Sequence, residues 1–403
     1  MKVERERIAI TFQQLLKTIT EKDRMALNHI YAFRCLSEDL LHRYVYKHTN
    51  ENDTLNEIRR LVDRNLIDIM ELNNDFCVFC LTTAGIRIVR ELSPEPLYRL
   101  NKRTGERIYE VEAKELRPIR AMIKHQLCLN ELSLMIQERC SIPLSCYKDS
   151  KFLQHFTYVQ PDGAFDLMGY SVFLETDMDH EAGTELVWKW NHYRNYFSST
   201  DYYLRRNKPV VVLFALENIS RVELRRKTVV RTLMKTAFDL IGSNFDCYIG
   251  SSRQVTEIFA NLYYGIQPDF SAVMKEHGYQ CPVMQSEGEP RYYQNRNRGI
   301  YIHSYEDRSI RKLKYALTFQ QYSRQLPGEK RAPLLLVCNN EREIFKDLSS
   351  CEMMCPENVF FTTRKRLQTS PLHRAVFQFD ELNNRVHFAD EAWTKRIHEK
   401  KER

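Results

Sequence analysis

The sequence predicts a mixed α+β and α/β protein: a helical N-terminal domain that closes with a hairpin, followed by a body of alternating strands and helices. Three observations predict it. Apolar residues recur at helical spacing from Ile8 to Val62, as in Ile10, Leu15, Leu16 and Ile19 or Leu55, Ile58, Leu61 and Val62. Two strand-like runs, 66–70 and 76–81, flank an Asn73-Asn74-Asp75 turn. Beyond residue 170, short apolar runs bounded by charges alternate with amphipathic segments, the clearest being Pro209-Val210-Val211-Val212-Leu213-Phe214.

Composition bounds the function. At 403 residues the chain holds two or three domains, with 43% hydrophobic and 28% charged residues, as in a soluble globular protein. No run approaches the ~18 apolar residues of a membrane span, and Met1-Lys2-Val3-Glu4-Arg5 is not a signal peptide. Eleven scattered cysteines, an odd number, point to the reduced state and a cytoplasmic location. The net charge of +7 favours nucleic acid without requiring it.

Residues 1–92 read as helices over 8–19 and 23–33, a helix capped by Ser37, a helix over 54–65, the hairpin, and a last helix from Thr82-Thr83-Ala84-Gly85. Helix, turn, helix, then a two-stranded wing is the order of a winged helix-turn-helix. The stretch from Ile58 to Ile67, with Leu81-Thr82-Thr83-Ala84-Gly85, also resembles bacterial winged-helix regulators. In such a domain a major-groove helix carries the DNA contacts. The candidates are Asn52, Thr54, Asn56, Arg59 and Arg60, with Lys47 and His48 on the approach. The same domain type also serves as a protein-docking module, so the fold alone does not fix the ligand. Cys77-x-x-Cys80 lies within the wing; zinc needs four ligands and alternation along a strand turns these two apart, so they read as structural.

Residues 93–118, with Pro94, Pro96, Pro118 and a charged turn at Lys102-Arg103-Thr104-Gly105, read as a linker with a short arm. The body begins at residue 119 with a helix over 122–139 that carries His125 near its start. Next comes Pro161-Asp162-Gly163, a strand over 170–174 that ends in Glu175-Thr176-Asp177, and a helix over 185–197 with Lys189, Trp190, Tyr193 and Tyr196. Alternation puts Glu175 and Asp177 on one face of the strand. Carboxylates gathered at strand ends can hold Mg²⁺, which takes hard oxygen ligands and activates water for phosphodiester hydrolysis. Acidic strand ends are also common where no metal binds, and a hydrogen-bonded structural role is the simpler reading of His125.

Pro161-Asp162 followed by Glu175-x-Asp177 resembles the PD-(D/E)XK nuclease motif. With His125, Asn130, the run Phe173 to Asp177, Gly183-Thr184, Leu186, Lys189 and Tyr193, the stretch from about residue 10 to 250 resembles the replication-relaxation family of plasmids and conjugative elements. The resemblance implies a winged helix before a PD-(D/E)XK-like mixed-sheet core. It also implies Mg²⁺, with Mn²⁺ as a substitute, held by Asp162, Glu175 and Asp177. The motif lysine is replaced by Asp177; Lys189 on the next helix is the candidate to supply it, and Glu131 or Glu138 the candidate for a further acid. Without these the fold would bind DNA and not cut it.

The core so defined spans 119–285 and includes a helix over 224–240 carrying Arg225, Arg226, Lys227, Arg231 and Lys235, readable as a phosphate-facing flank or as a solvated face. Residues 286–390 repeat the order strand, helix, proline-led strand, helix, strand, which reads as a degenerate second α/β copy or equally as generic patterning; 391–403 is a charged tail. The expected function is a DNA-binding protein of a plasmid or conjugative element that assists origin processing, a relaxase or replication. It would act on double-stranded DNA, alone or as a homodimer, as a Mg²⁺-dependent endonuclease or as an inactive scaffold. The alternative is a winged-helix transcriptional regulator whose α/β part oligomerises or senses an effector.

Overall fold

The computed structural model describes residues 12–388 except 48, 74–75, 94–96, 102–103, 105, 110, 155, 179–182, 205–207, 218–221, 282–289, 297, 327–330 and 381–384. His48, the hairpin tip Asn74-Asp75, most of the expected arm at Lys102-Arg103-Gly105 and the tail 391–403 thus lie outside the described residues. The chain forms two compact units, residues 1–167 with 173–176, and residues 168–172 with 177–403.

In the first unit, local chemistry sets the element boundaries. Thr20 and Asp23 form a capping box that starts helix Glu21–Phe33, and Arg34 ends it with φ of 68°. Strand β1 (Cys35–Ser37) follows, then helix Glu38–Leu40, which runs into a π-helical turn Leu41–Val45. Asn50 accepts from the Asp53 N–H and so starts helix Glu51–Asp63, which buries Thr54, Ile58 and Leu61. Strands β2 (Ile67–Asn73) and β3 (Phe76–Leu81) form the expected hairpin, and β1 adds to β3, giving an antiparallel order β1-β3-β2. Helix Thr83–Leu92 begins at the Thr82 cap, where Gly85 lies against the Leu66 carbonyl so closely that a Cβ would collide with it. Cys80 packs with Cys35, Val78 and Ile123 in a small apolar core, and all eleven cysteines are unbridged.

Strands β4 (Arg99–Leu100) and β5 (Arg107–Ile108) make a short antiparallel pair before helix Ile123–Cys140. Strands β6 (Tyr147–Asp149) and β7 (Gly163–Asp166) are antiparallel, and β8 (Ser171–Asp177) lies beside β7. A solvent-excluded polar network joins these pieces. Asn130 donates to the carbonyls of Phe33 (3.0 Å) and Cys35 (2.6 Å). Gln126 donates to Asn130 Oδ1 (2.9 Å) and Asp149 Oδ2 (2.8 Å) and accepts from Arg34 Nη1 (2.7 Å). Burial pushes the Asp149 carboxyl up, against the Arg34 charge 3.5 Å away.

From β8 onward the chain runs through two successive β-α-β-α-β stretches, which apart from residues 173–176 of β8 belong to the second unit. In the first, the end residues of β8 bond to the segment around β9 (Val210–Leu216), Ser171 N–H to Pro209 O (3.0 Å) and Glu217 N–H to Asp177 O (2.9 Å). β9 then pairs in parallel with β10 (Phe245–Gly250). Helices Gly183–Phe197, Val222–Ala237 and Ser252–Tyr264 lie between or after these strands. In the second, β11 (Arg291–Asn295) is antiparallel to β12 (Arg298–Ser304), which is parallel to β13 (Leu334–Cys338) and through it to β14 (Val359–Thr363). Helices Ile310–Gln325 and Glu341–Cys351 form the crossovers, and β15 (Phe377–Asp380) and β16 (Arg385–Phe388) complete the six-stranded sheet. The two stretches share hydrogen bonds as well as order. Tyr301 N–H donates to Pro333 O as Ser171 N–H does to Pro209 O, and Leu334 N–H donates to Asn358 O as Val210 N–H does to Asn244 O.

Helices Val222–Ala237 and Glu341–Cys351 pack together across a buried ion cluster. Asp347 accepts from Arg226 Nε and Nη2 (both 3.0 Å), Arg308 Nε (2.9 Å) and Nη2 (2.7 Å), and the Tyr305 hydroxyl (2.8 Å). Burial alone would raise this carboxyl; the charges and hydrogen bonds of Arg226 and Arg308 overcome it and hold it at about 2. Asp347→Ala would take the buried acid from Arg226 and leave Arg308 with Glu223 (2.8 Å), and is expected to cost about 3–5 kcal/mol in denaturant unfolding. The depressed carboxyl contributes stability that is complete above its unfolded value near ~4 and lost as pH falls from there towards about 2. Acid unfolding of the wild type should therefore steepen in that window, and in an Asp347→Asn variant that component should vanish.

Candidate functional site

Helix Glu51–Asp63 divides its side chains by the helical period. Thr54, Ile58 and Leu61 face inward, while Asn52, Asn56 and Arg59, at i, i+4 and i+7, lie exposed along one face. Of the five residues expected to contact DNA, these three are exposed, Arg60 is half-buried and Thr54 is buried. Thr54 is fully buried, its hydroxyl 3.0 Å from His42 Nδ1 and 2.9 Å from Thr49 Oγ1, so it fixes the entry to the helix. Arg60 is spoken for by Asp23 (2.6 Å) and Glu57, and Arg64 also reaches Asp23 (3.4 Å). Lys47 is paired with Glu138 at 2.8 Å, and Glu131 with Arg43 at 2.9 Å.

The acidic strand has two distinct environments. In the first unit, Asp162 Oδ2 accepts from the Thr176 N–H (2.8 Å) and hydroxyl (3.1 Å). His125 Nε2 lies 3.3 Å from the same oxygen, 3.1 Å from Thr176 O and 3.2 Å from Thr176 Oγ1. Facing a carboxylate and a carbonyl, Nε2 must carry the proton and donate. Sequence reasoning weighed His125 as structural or catalytic; its position is a clamp between helix Ile123–Cys140 and β8. Glu175, next along β8, is 2% exposed and by alternation points to the face opposite Thr176.

In the second unit, Asp177 is 1% exposed and meets Arg225 Nε at 2.6 Å. Lys189 Nζ sits 5.2 Å from the Phe214 ring centroid, a cation–π distance. Among the described residues, no three His, Cys, Asp or Glu side chains are grouped as ligands for a metal ion. The role of Arg225 escaped sequence reading. Arg225 and Arg226 are both buried in ion pairs, so the phosphate-facing flank expected of helix Val222–Ala237 loses its two leading cations. Farther along that helix Arg231 and Lys235 both pair with Glu352, at 3.2 and 2.8 Å. Only the length of chain between Asp177 and Arg225 hides this pairing, since neither residue carries a local signal for it. Arg225→Met removes the guanidinium 2.6 Å from the buried Asp177 carboxylate and should lower stability by about 3–5 kcal/mol. Equilibrium urea unfolding followed by far-UV circular dichroism should show that loss, and adding Asp177→Asn should return most of it.

No curated protein and no solved structure matches this chain. A family model does match. The stretch 27–213, which carries helix Glu51–Asp63, the β2–β3 hairpin, the His125–Asp162–Thr176 clamp and the acidic end of β8, matches the replication-relaxation family.

Proposed function

We propose that this protein binds double-stranded DNA of a replicating plasmid or conjugative element through a winged helix-turn-helix, and that its α/β body is a scaffold for a relaxase or replication protein. In this reading helix Glu51–Asp63 enters the major groove and the β2–β3 hairpin is the wing. The reading is carried by the exposed row Asn52, Asn56 and Arg59 on the helix that precedes the hairpin. These side-chain types suit base edges: arginine pairs bidentately with guanine O6 and N7, and asparagine with adenine N6 and N7. The match of residues 27–213 to the replication-relaxation family supplies the setting of a mobile element. The scaffold part rests on the acids being engaged within the protein, Asp177 by Arg225 and Asp162 by Thr176.

Cleavage is the second reading, favoured by the Asp162 carboxylate reaching the backbone of β8 directly beside Glu175. The Mg²⁺ or Mn²⁺ of this reading would supply charge to the scissile phosphate and lower the pKa of water; to ligate it, Asp162 and Asp177 would have to leave Thr176 and Arg225. The protein's own part would be to fix these carboxylates and to bring Lys189 to the phosphate.

Fluorescence anisotropy with duplex DNA from an origin region separates these readings. Arg59→Ala should weaken binding by about 1–3 kcal/mol, and affinity should fall steeply with salt as counterions are released. Arg60→Ala should act mainly on stability, by loosening Asp23. Unchanged duplex binding by an Asn52→Ala/Asn56→Ala/Arg59→Ala variant would sink the groove assignment. Metal-dependent nicking of supercoiled plasmid that disappears in Glu175→Ala, with duplex binding intact, would replace the scaffold by the nuclease.

A further inference from the structure

The two β-α-β-α-β stretches of the second unit meet at a cleft of about 570 Å³ that the proposed DNA contacts do not use. One side is the carboxyl end of β10 with helix Ser252–Tyr264 and the segment after it; the other is the carboxyl end of β12 with residues 304–312. Ligands of α/β sheets bind outside the carboxyl ends of parallel strands, because there the connecting loops diverge and leave a crevice. Both strands here are parallel to their inner neighbours, β10 to β9 and β12 to β13.

The lining has two chemistries. Tyr248, Ile258, Leu262, Ile266 and Phe270 give an apolar, partly aromatic wall. Arg253, Arg291, Arg311, Lys312 and His303 supply positive charge and ring N–H capacity. Three acids share the lining, and two of them are held by cations: Glu306 by Arg364 (2.8 Å) and Asp307 by Lys312 (2.5 Å). Glu257 lies on the same helix as Arg253 and is exposed. Arg291 pairs with Asp269 at 2.7 Å, and Arg311 lies 3.8 Å from Asp246, longer than a direct hydrogen bond. Arg253 is exposed and forms no ion pair among the described residues. His303 is half-buried in the cleft wall with its ring edge-on to Tyr315 at a centroid distance of 6.2 Å. Burial first, then the charges of Lys312 and Arg311, keep this imidazole well below its ordinary value, so it stands neutral between two cations.

From this juxtaposition of an apolar wall with Arg253, Arg311, Lys312 and His303, we infer that the cleft binds a nucleotide, its base on the wall and its phosphate against the cations. The volume lies within the range of small-molecule sites, which are mainly apolar with a few placed polar groups. Aromatic and aliphatic side chains stack a base whatever its identity, and guanidinium groups bind phosphate in two-pronged fashion. The nucleotide has two sources, a free mononucleotide or one unit of a single strand, and the chemistry recognised is the same.

Isothermal titration of the full-length protein with AMP, with hexathymidylate and with inorganic phosphate tests the inference. AMP binding, or hexathymidylate binding without AMP binding, supports it and names the source. In either case Arg253→Ala and Arg311→Ala should each weaken the interaction by about tenfold. Circular dichroism of the variants establishes that they fold, and Arg253, being exposed, is the substitution least able to disturb the fold. Three results overturn the inference: no binding of AMP or hexathymidylate up to about 1 mM, binding indifferent to both arginine substitutions, or inorganic phosphate binding as tightly as AMP. Duplex affinity measured on the same variants keeps this outcome separate from that of the groove assignment.

Discussion

Everything in the first unit depends on polar side chains buried in its interior. Asn130 spends both amide hydrogens on the carbonyls of Phe33 and Cys35, where helix Glu21–Phe33 gives way to β1 through the left-handed Arg34. Gln126 then links Asn130 to Asp149 and Arg34. Because each member satisfies another, removing one leaves several groups stranded in a low-dielectric interior. The helices before the hairpin and the strands after it are thereby one body. The exposed face of helix Glu51–Asp63 inherits its rigidity from that body through the buried Thr54 and the Arg60–Asp23 pair.

The second unit uses the same strategy with charge in place of amides. Asp347 collects two arginines and a tyrosine where the helices of the two stretches pack, and Asp246 accepts from the Ser309 hydroxyl (2.7 Å) and the Arg311 N–H (2.9 Å) at the start of helix Ile310–Gln325. The apolar core beneath β12, β13 and β14, with Ile300, Leu335, Val337 and Phe360, is conventional burial. What the ion cluster adds is a fixed relation between the two stretches, and that relation shapes the cleft at their carboxyl ends.

Much of the fold was legible in the sequence. The apolar run at 209–214 is β9, the 66–81 hairpin is β2 and β3, and helical periodicity located most of the long helices, because each of these signals is local. The long-range partners were not legible. Arg60, Arg225 and Arg226 look in sequence like solvated cations, yet they are matched with Asp23, Asp177 and Asp347. Thr54 looks like a base-reading residue, yet it faces inward. An arginine announces its charge and not its partner. A strand-end acid likewise announces a carboxylate without saying whether a metal, a cation or an N–H group will meet it.

The matched hydrogen bonds at Pro209 and Pro333, and at Asn244 and Asn358, run between main-chain atoms. Any residue can furnish a carbonyl, so nothing compels side chains at equivalent places to stay alike. The same strand-helix-strand geometry can therefore recur along one chain while the side chains at equivalent places differ.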